Sequence, residues 1–143
     1  MKICCFFGHR DAPGTLRPLL RETVEHLILT KQADRFIVGD HGAFDRMVQG
    51  VLKESEERYG IDYNVMLTAF PVGKSADELP CHPLIPENLE RIPPRFAIAR
   101  VNRQIADMSD MGVTYVTRTF GGAWEAKERL RKAGKYIIEL SGD

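Results

Sequence analysis

Short apolar runs alternate along the chain with longer stretches in which apolar residues recur every three or four positions. Lys2 to Phe7 is the first run, and it stops at Gly8-His9-Arg10-Asp11. After the turn residues Pro13-Gly14, the residues Leu16, Leu19, Leu20, Val24, Leu27 and Ile28 repeat at helical spacing with charges between them. Arg35 to Val38 is the second run. Phe44, Met47, Val48, Val51 and Leu52 then mark a helix to about Tyr59, which Gly60 ends. Tyr63 to Phe70 reads as a third strand, and Phe96 to Ser109 as a helix with Ala97, Val101, Ile105 and Met108 on one face. Val113 to Thr117 is a β-branched strand, Ala123 to Ala133 a helix closed by Gly134, and Tyr136 to Leu140 the last strand. This alternation predicts an α/β, Rossmann-like three-layer domain. Its central, mainly parallel sheet has about five strands, with helices on both faces and right-handed crossovers.

One segment breaks the rhythm. Six of the eight prolines fall between Pro71 and Pro94, which excludes a long helix or strand there. Pro86-Glu87-Asn88-Leu89-Glu90 predicts a single helical turn, with proline early and acids in the first turn. A loop of this length at about 71–94 serves as a lid, a binding loop or an oligomer contact. The remaining pattern shows neither repeats nor linkers, so residues 1–143 are expected to form one domain.

Composition narrows the chemistry. Acids and bases balance at 20 each, so no global field draws in nucleic acid or an anionic membrane. No apolar run approaches the ~20 residues of a membrane span. The start Met1-Lys2-Ile3 lacks a signal-peptide layout, and a cytoplasmic location is expected. Cys4 and Cys5, adjacent in a strand, should point to opposite faces. No Cys/His cluster has zinc spacing, and neither a metal nor a cofactor is expected.

Three strand-to-helix junctions carry glycine: Gly8-His9-Arg10, then Gly39-Asp40-His41-Gly42, then Gly121-Gly122. An open α/β sheet binds ligands beyond the carboxyl ends of its strands, where the strand order reverses. The order third-second-first-fourth-fifth sets Gly8-His9-Arg10 across that crevice from Thr117 to Gly122, with the Gly39–Gly42 loop alongside. Glycines and helix-start amides favour an anion, and a branched side chain at Gly42 would fill the space such an anion approaches. Arg10 is the planar, permanently charged partner for a phosphate. Each residue also has a plainer role: His9 as a turn cap, Arg10 in a surface pair with Asp11 or Asp45, and Asp45 or Glu125 as a first-turn acid. Trp124 either stacks on a base or covers the sheet. Arg100 and Arg103, on the helix before the fourth strand, either reach the cleft or face solvent.

The combination Phe6-Phe7-Gly8-His9-Arg10, then Phe36-x-Val38-Gly39-x-x-Gly42-x-Phe44-Asp45, resembles the small bacterial proteins of the SLOG superfamily. Pro86-Glu87-x-Leu89-Glu90, Pro94-Arg95-x-Ala97-Ile98, Arg100-x-Asn102-Arg103, Ser109-Asp110 and Gly121-Gly122-Ala123 continue the likeness to its YpsA-like branch. That superfamily joins a DNA-processing protein that loads recombinase onto single-stranded DNA with the lonely-guy phosphoribohydrolases, and many members are thought to bind nucleotides. The resemblance implies a nucleotide or nucleotide-derived ligand held by Gly8, His9, Arg10, Gly39, Asp40, Gly42, Asp45, Arg103, Gly121 and Gly122. The hydrolase motif resembles Pro-Gly-Gly-x-Gly-Thr-x-x-Glu. Gly121 and Gly122 match its paired glycines and Glu128 its glutamate, whereas Phe120, Trp124 and Glu125 depart from it. Glu128 is thus the candidate catalytic carboxylate for breaking a ribosyl C–N bond, a step that develops positive charge on the sugar. The alternatives are a non-catalytic nucleotide sensor and a single-strand DNA binder, the latter disfavoured by the balanced charge. The other partner expected is a second copy of the chain.

Overall fold

The computed structural model describes residues 2–69 and 71–140. The order of elements is β1 (Ile3–Gly8), α1 (Arg17–Leu29), β2 (Arg35–Val38), α2 (Ala43–Tyr59), β3 (Asp62–Met66), β4 (Pro83–Leu84), α3 (Pro94–Met108), β5 (Met111–Tyr115), α4 (Gly122–Lys132) and β6 (Tyr136–Glu139). The strands form one sheet in the order β4-β3-β2-β1-β5-β6, and every pairing is parallel. Without the edge strand β4 this is the expected order. The sequence reading counted five strands; the sixth is a two-residue edge strand inside the proline-rich segment. It is short because each proline removes a ladder donor. Val65 of β3 and Leu67 just after it donate to the carbonyls of His82 and Leu84.

The expected helical turn at Pro86–Glu90 lies three residues further on, as a 3₁₀ turn over Leu89–Arg91. Asn88 precedes it at φ 60°, a left-handed conformation that asparagine tolerates. The third strand ends at Met66, short of the expected end, and Phe70 lies outside the described residues. The fourth expected strand spans Met111–Tyr115, two residues earlier than its β-branched stretch, because Asp110 already joins the sheet: its backbone N–H donates to the Ile3 carbonyl at 2.8 Å.

Each face of the sheet carries its own apolar layer. Leu20, Val24 and Leu27 of α1 and Phe44, Val48 and Leu52 of α2 pack on Cys4, Phe6, Phe36 and Val38. Val101 and Ile105 of α3 with Ala126 and Leu130 of α4 pack on Cys5, Phe7 and Ile37. Cys4 and Cys5 therefore do point to opposite faces. Burial raises both thiols above their ordinary range, Cys5 to about 12, so they behave as small apolar groups.

The layers meet most tightly where β1 ends. A Cβ on Gly8 would sit 2.2–2.5 Å from three atoms of the Phe44 ring, which is fully buried. Gly8→Ala should therefore cost roughly 1–3 kcal/mol, the usual penalty for forcing atoms into a filled core. Gly14→Ala, whose side chain would meet nothing within 4 Å, is the neutral control. Urea titration of both variants checks this. Equal midpoints would show that the ring moves aside without cost.

Candidate functional site

The strand order reverses between β1 and β5, and a cavity of about 430 Å³ opens at their carboxyl ends. From the end of β1 it is lined by Gly8, His9, Arg10 and Asp11, and from the loop after β2 by His41 and Asp45. Across it stand Arg118, Phe120, Gly121 and Gly122, with Ile98 and Asn102 of α3 at the side. Two of the three glycine junctions thus face each other directly.

His9 ties the two walls together. It is 6% exposed, and its Nε2 accepts the Thr117 backbone N–H at 2.9 Å. An accepting Nε2 carries no proton, so the ring is the neutral Nδ1–H tautomer. Burial, and then the Arg118 charge, lower its pKa from 6.5 and keep it so. The residue both caps the β5 turn and lines the cavity.

Arg10 is exposed at the cavity and has no ion pair among the described residues. The acid next to it in sequence is committed elsewhere: Asp11 Oδ1 accepts from Arg118 Nη2 at 3.0 Å, which holds the Asp11 carboxyl below its usual range. Arg118 also lies 5.6 Å from the ring centroid of Phe120, which is 66% exposed. Arg118 was not singled out from sequence, while Asn102 and His41 stand in the quoted motifs without an assigned role. Arg118 carries no motif signal, and only its place three residues past β5 hints at a cleft position.

α2 and α4 begin alike but present different surfaces. Gly42 (φ 95°, ψ 176°) and Gly121 (φ 94°, ψ 173°) share one cap conformation, and neither helix start has a side-chain cap. At α4 a Cβ on Gly121 would meet nothing within 4 Å, and Gly121, Gly122 and Ala123 at that start line the cavity. At α2 the start is filled. The Ala43 N–H donates to the Arg10 carbonyl at 2.8 Å, and a Cβ on Gly42 would lie 2.6 Å from Arg10 Cα. A side chain at Gly42 therefore displaces the Arg10 backbone rather than filling an anion's path. Gly39, Asp40 and Gly42 do not line the cavity. Asp40 instead borders a hollow of about 500 Å³ with Arg46, Gln49 and Lys74, under the proline-rich segment.

The Asp45 carboxyl lies at that filled helix start. Its Oδ2 accepts the His41 backbone N–H at 3.0 Å. Burial raises its pKa from 3.8 to about 7, a shift the His41 bond only partly offsets. Glu128 and Arg103 line a different hollow of about 280 Å³, which borders the first at Asn102 and Gly122 and also holds Trp124 and Glu125. There Glu128 accepts two bonds of 2.9 Å from Arg131, which lower its pKa. Among the described residues no cluster of three or more His, Cys, Asp or Glu has metal-binding geometry. No described helix is long and apolar enough to cross a membrane.

The raised pKa of Asp45 fixes the sign of a stability effect. Between pH 3.8 and about 7 the folded state binds more protons than the unfolded state, so this group's contribution is greatest in acid and is lost as pH rises through 7. Asp45→Asn keeps an oxygen for the His41 N–H and removes the buried charge. It should melt a few degrees above wild type at about pH 8, with the gap narrowing toward about pH 5. Thermal melts across that range measure it. A variant melting below wild type at the alkaline end would make the charge itself a stabilising cap.

No family model matches the chain, and no curated protein sequence matches it significantly. Among solved structures, the X-ray structure of DNA processing protein A (DprA) from Streptococcus pneumoniae superposes with a TM-score of 0.75 at 13% sequence identity. The match covers 100% of this chain and 51% of that one, so the chain spans about half the length of that protein. The likeness is one of architecture: the fold is the DprA-like α/β arrangement that the SLOG resemblance implies.

Proposed function

We propose that the protein binds a nucleotide or nucleotide-derived small molecule through its phosphate, in the cavity between the ends of β1 and β5. The observation that carries this reading is the meeting of an open helix start at Gly121–Gly122 with the unpaired guanidinium of Arg10. Uncapped amides and a helix dipole attract an anion, and a guanidinium grips phosphate oxygens with two parallel bonds. Arg118, paired with Asp11, stands across the cavity from it. Phe120 and Ile98 offer apolar surface for a base at the mouth. The motif resemblance to the YpsA-like branch supports the same ligand class, and a cytoplasmic location accords with it.

The reading is of a binding protein that senses its ligand. Glu128, the carboxylate that N-glycosidic cleavage would use, is held by Arg131 in the neighbouring hollow. A second reading is single-stranded DNA. Two exposed aromatics each carry an arginine, Phe120 with Arg118 and Phe96 with Arg95 at 4.7 Å, and bases stack on such faces. The name of the DprA neighbour accords with that, but the zero net charge sets the small ligand first.

Calorimetric titration with nucleoside monophosphates and the matching nucleosides tests the reading. A charge-assisted hydrogen bond contributes roughly 1.5–3 kcal/mol, so Arg10→Ala should weaken the nucleotide on the order of tenfold to a hundredfold. Arg10→Lys should weaken it less, and the nucleoside should barely respond to either. Glu128→Gln should leave affinity unchanged. Equal losses for nucleotide and nucleoside would move Arg10 from the phosphate to the fold, and tighter binding of oligodeoxynucleotides than of any mononucleotide would favour DNA.

A further inference from the structure

Several carboxyl groups of the protein are held by arginines, whereas Asp45, whose pKa burial and then the nearby Asp40 charge raise, is not. Asp11 pairs with Arg118, Glu128 with Arg131, and Asp107 with Arg129. Asp45 has no basic side chain in ion-pair range among the described residues. A Cβ at position 39 would come 3.1 Å from Asp45 Oδ2 and 3.8 Å from Ile105 Cδ1. The bare backbone of Gly39 is what admits the carboxyl. Its Oδ2 takes the His41 N–H, while Oδ1 accepts no bond from another residue. No described side-chain oxygen is both buried and unbonded, so Oδ1 keeps some access to solvent, and Asp45 is one of the residues that line the cavity.

Gly121–Gly122 and Arg118 give one wall amides and a guanidinium; the wall opposite has Arg10 and, at Asp45, an acceptor-only oxygen once it is ionised. That oxygen repels a phosphate and calls for a donor. In a nucleoside monophosphate the groups between phosphate and base are the sugar hydroxyls, and a volume of about 430 Å³ has room for that unit. We propose that Asp45 accepts hydrogen bonds from the vicinal hydroxyls of a ribose, and so selects ribonucleotides over their 2′-deoxy counterparts. This rests on the nucleotide reading above. A 2′-deoxy sugar would set a methylene against a carboxylate with few other partners, and sites built to bond a hydroxyl discriminate strongly against analogues lacking it. The raised pKa of Asp45 agrees with a carboxyl whose full set of partners arrives with the ligand.

The experiment is titration at about pH 8, where Asp45 is ionised, of wild type and Asp45→Asn with the four ribonucleoside monophosphates and their 2′-deoxy forms. The expected result is that wild type binds at least one ribonucleotide roughly tenfold to a hundredfold more tightly than its deoxy form. In Asp45→Asn most of that preference disappears, while deoxynucleotide affinity stays near the wild-type value. The wild-type comparison needs no variant, so it stands however Asp45→Asn behaves. Equal wild-type affinities for the two sugars would overturn the proposal and leave nucleotide binding intact. So would a preference that survives Asp45→Asn, or a loss in Asp45→Asn equal for both sugars and dependent on the base, which would assign the carboxyl to a base donor. Absence of binding by every nucleotide would overturn the proposal and the reading beneath it together.

Discussion

The close approach of Gly8 to Phe44 governs the geometry of the whole carboxyl edge. The ring at the start of α2 lies directly against the last residue of β1, in space that any side chain at position 8 would occupy. This contact fixes how near the α2 helix comes to the first strand, and the Ala43–Arg10 backbone bond locks the adjoining turn to it. Arg10 therefore has its main chain clamped while its side chain stays free at the cavity. His9 does the same for the opposite wall, since its ring holds the turn after β5 by the Thr117 amide. A buried packing contact and two hydrogen bonds thus position groups that none of them uses up.

The polar groups around the cavity divide into satisfied and unsatisfied sets. Asp11 and Arg118 neutralise each other, and Glu139 accepts from the Thr114 hydroxyl and the Val116 N–H below them. Such exposed pairs contribute little to stability, but they restrict where side chains point. Among the described residues, Arg10 and the second oxygen of Asp45 have no side-chain partner. Leaving a carboxyl under-solvated costs stability, and costs of that kind concentrate where a ligand supplies the missing contacts.

Much of the fold could be read from the chain because its signals are local. Helical spacing in Leu20, Val24 and Leu27, and in Val101 and Ile105, reports burial on one face each, and alternation with short apolar runs compels a parallel sheet. Gly60 ends α2 at φ 69°, as its place after Tyr59 suggested. Strand β4 was not legible, because two residues beside a proline carry no periodicity; only the neighbouring edge of β3 recruits them. The meeting of the first and third junctions followed from strand order. The separation of Glu128 from them did not follow from motif spacing: α4 turns that residue toward α3, into a hollow shared with Arg103 and Trp124. Arg118 was missed because a lone arginine in a loop has no pattern, and its role depends on Asp11, over a hundred residues earlier.

The two glycine-capped helices show how one residue decides what a helix start can hold. Gly42 and Gly121 have nearly the same backbone angles, and both helices point the positive end of the helix dipole at the same edge of the sheet. Three residues after the cap, α2 has Asp45 and α4 has Trp124. The aspartate folds back to accept the His41 N–H, a local bond of the capping-box kind, and places its own negative charge at the helix start. A tryptophan has no acceptor to offer and cannot do this. The first acid of α4, Glu125, comes one position later, and it borders the outer hollow rather than the main cavity. An external anion is therefore repelled from the start of α2 and drawn to that of α4. In the binding mode proposed above, the sequence contrast of Gly-x-x-Asp with Gly-x-x-Trp sets the direction of the ligand: its anion toward Gly121, its hydrogen-bond donors toward Asp45.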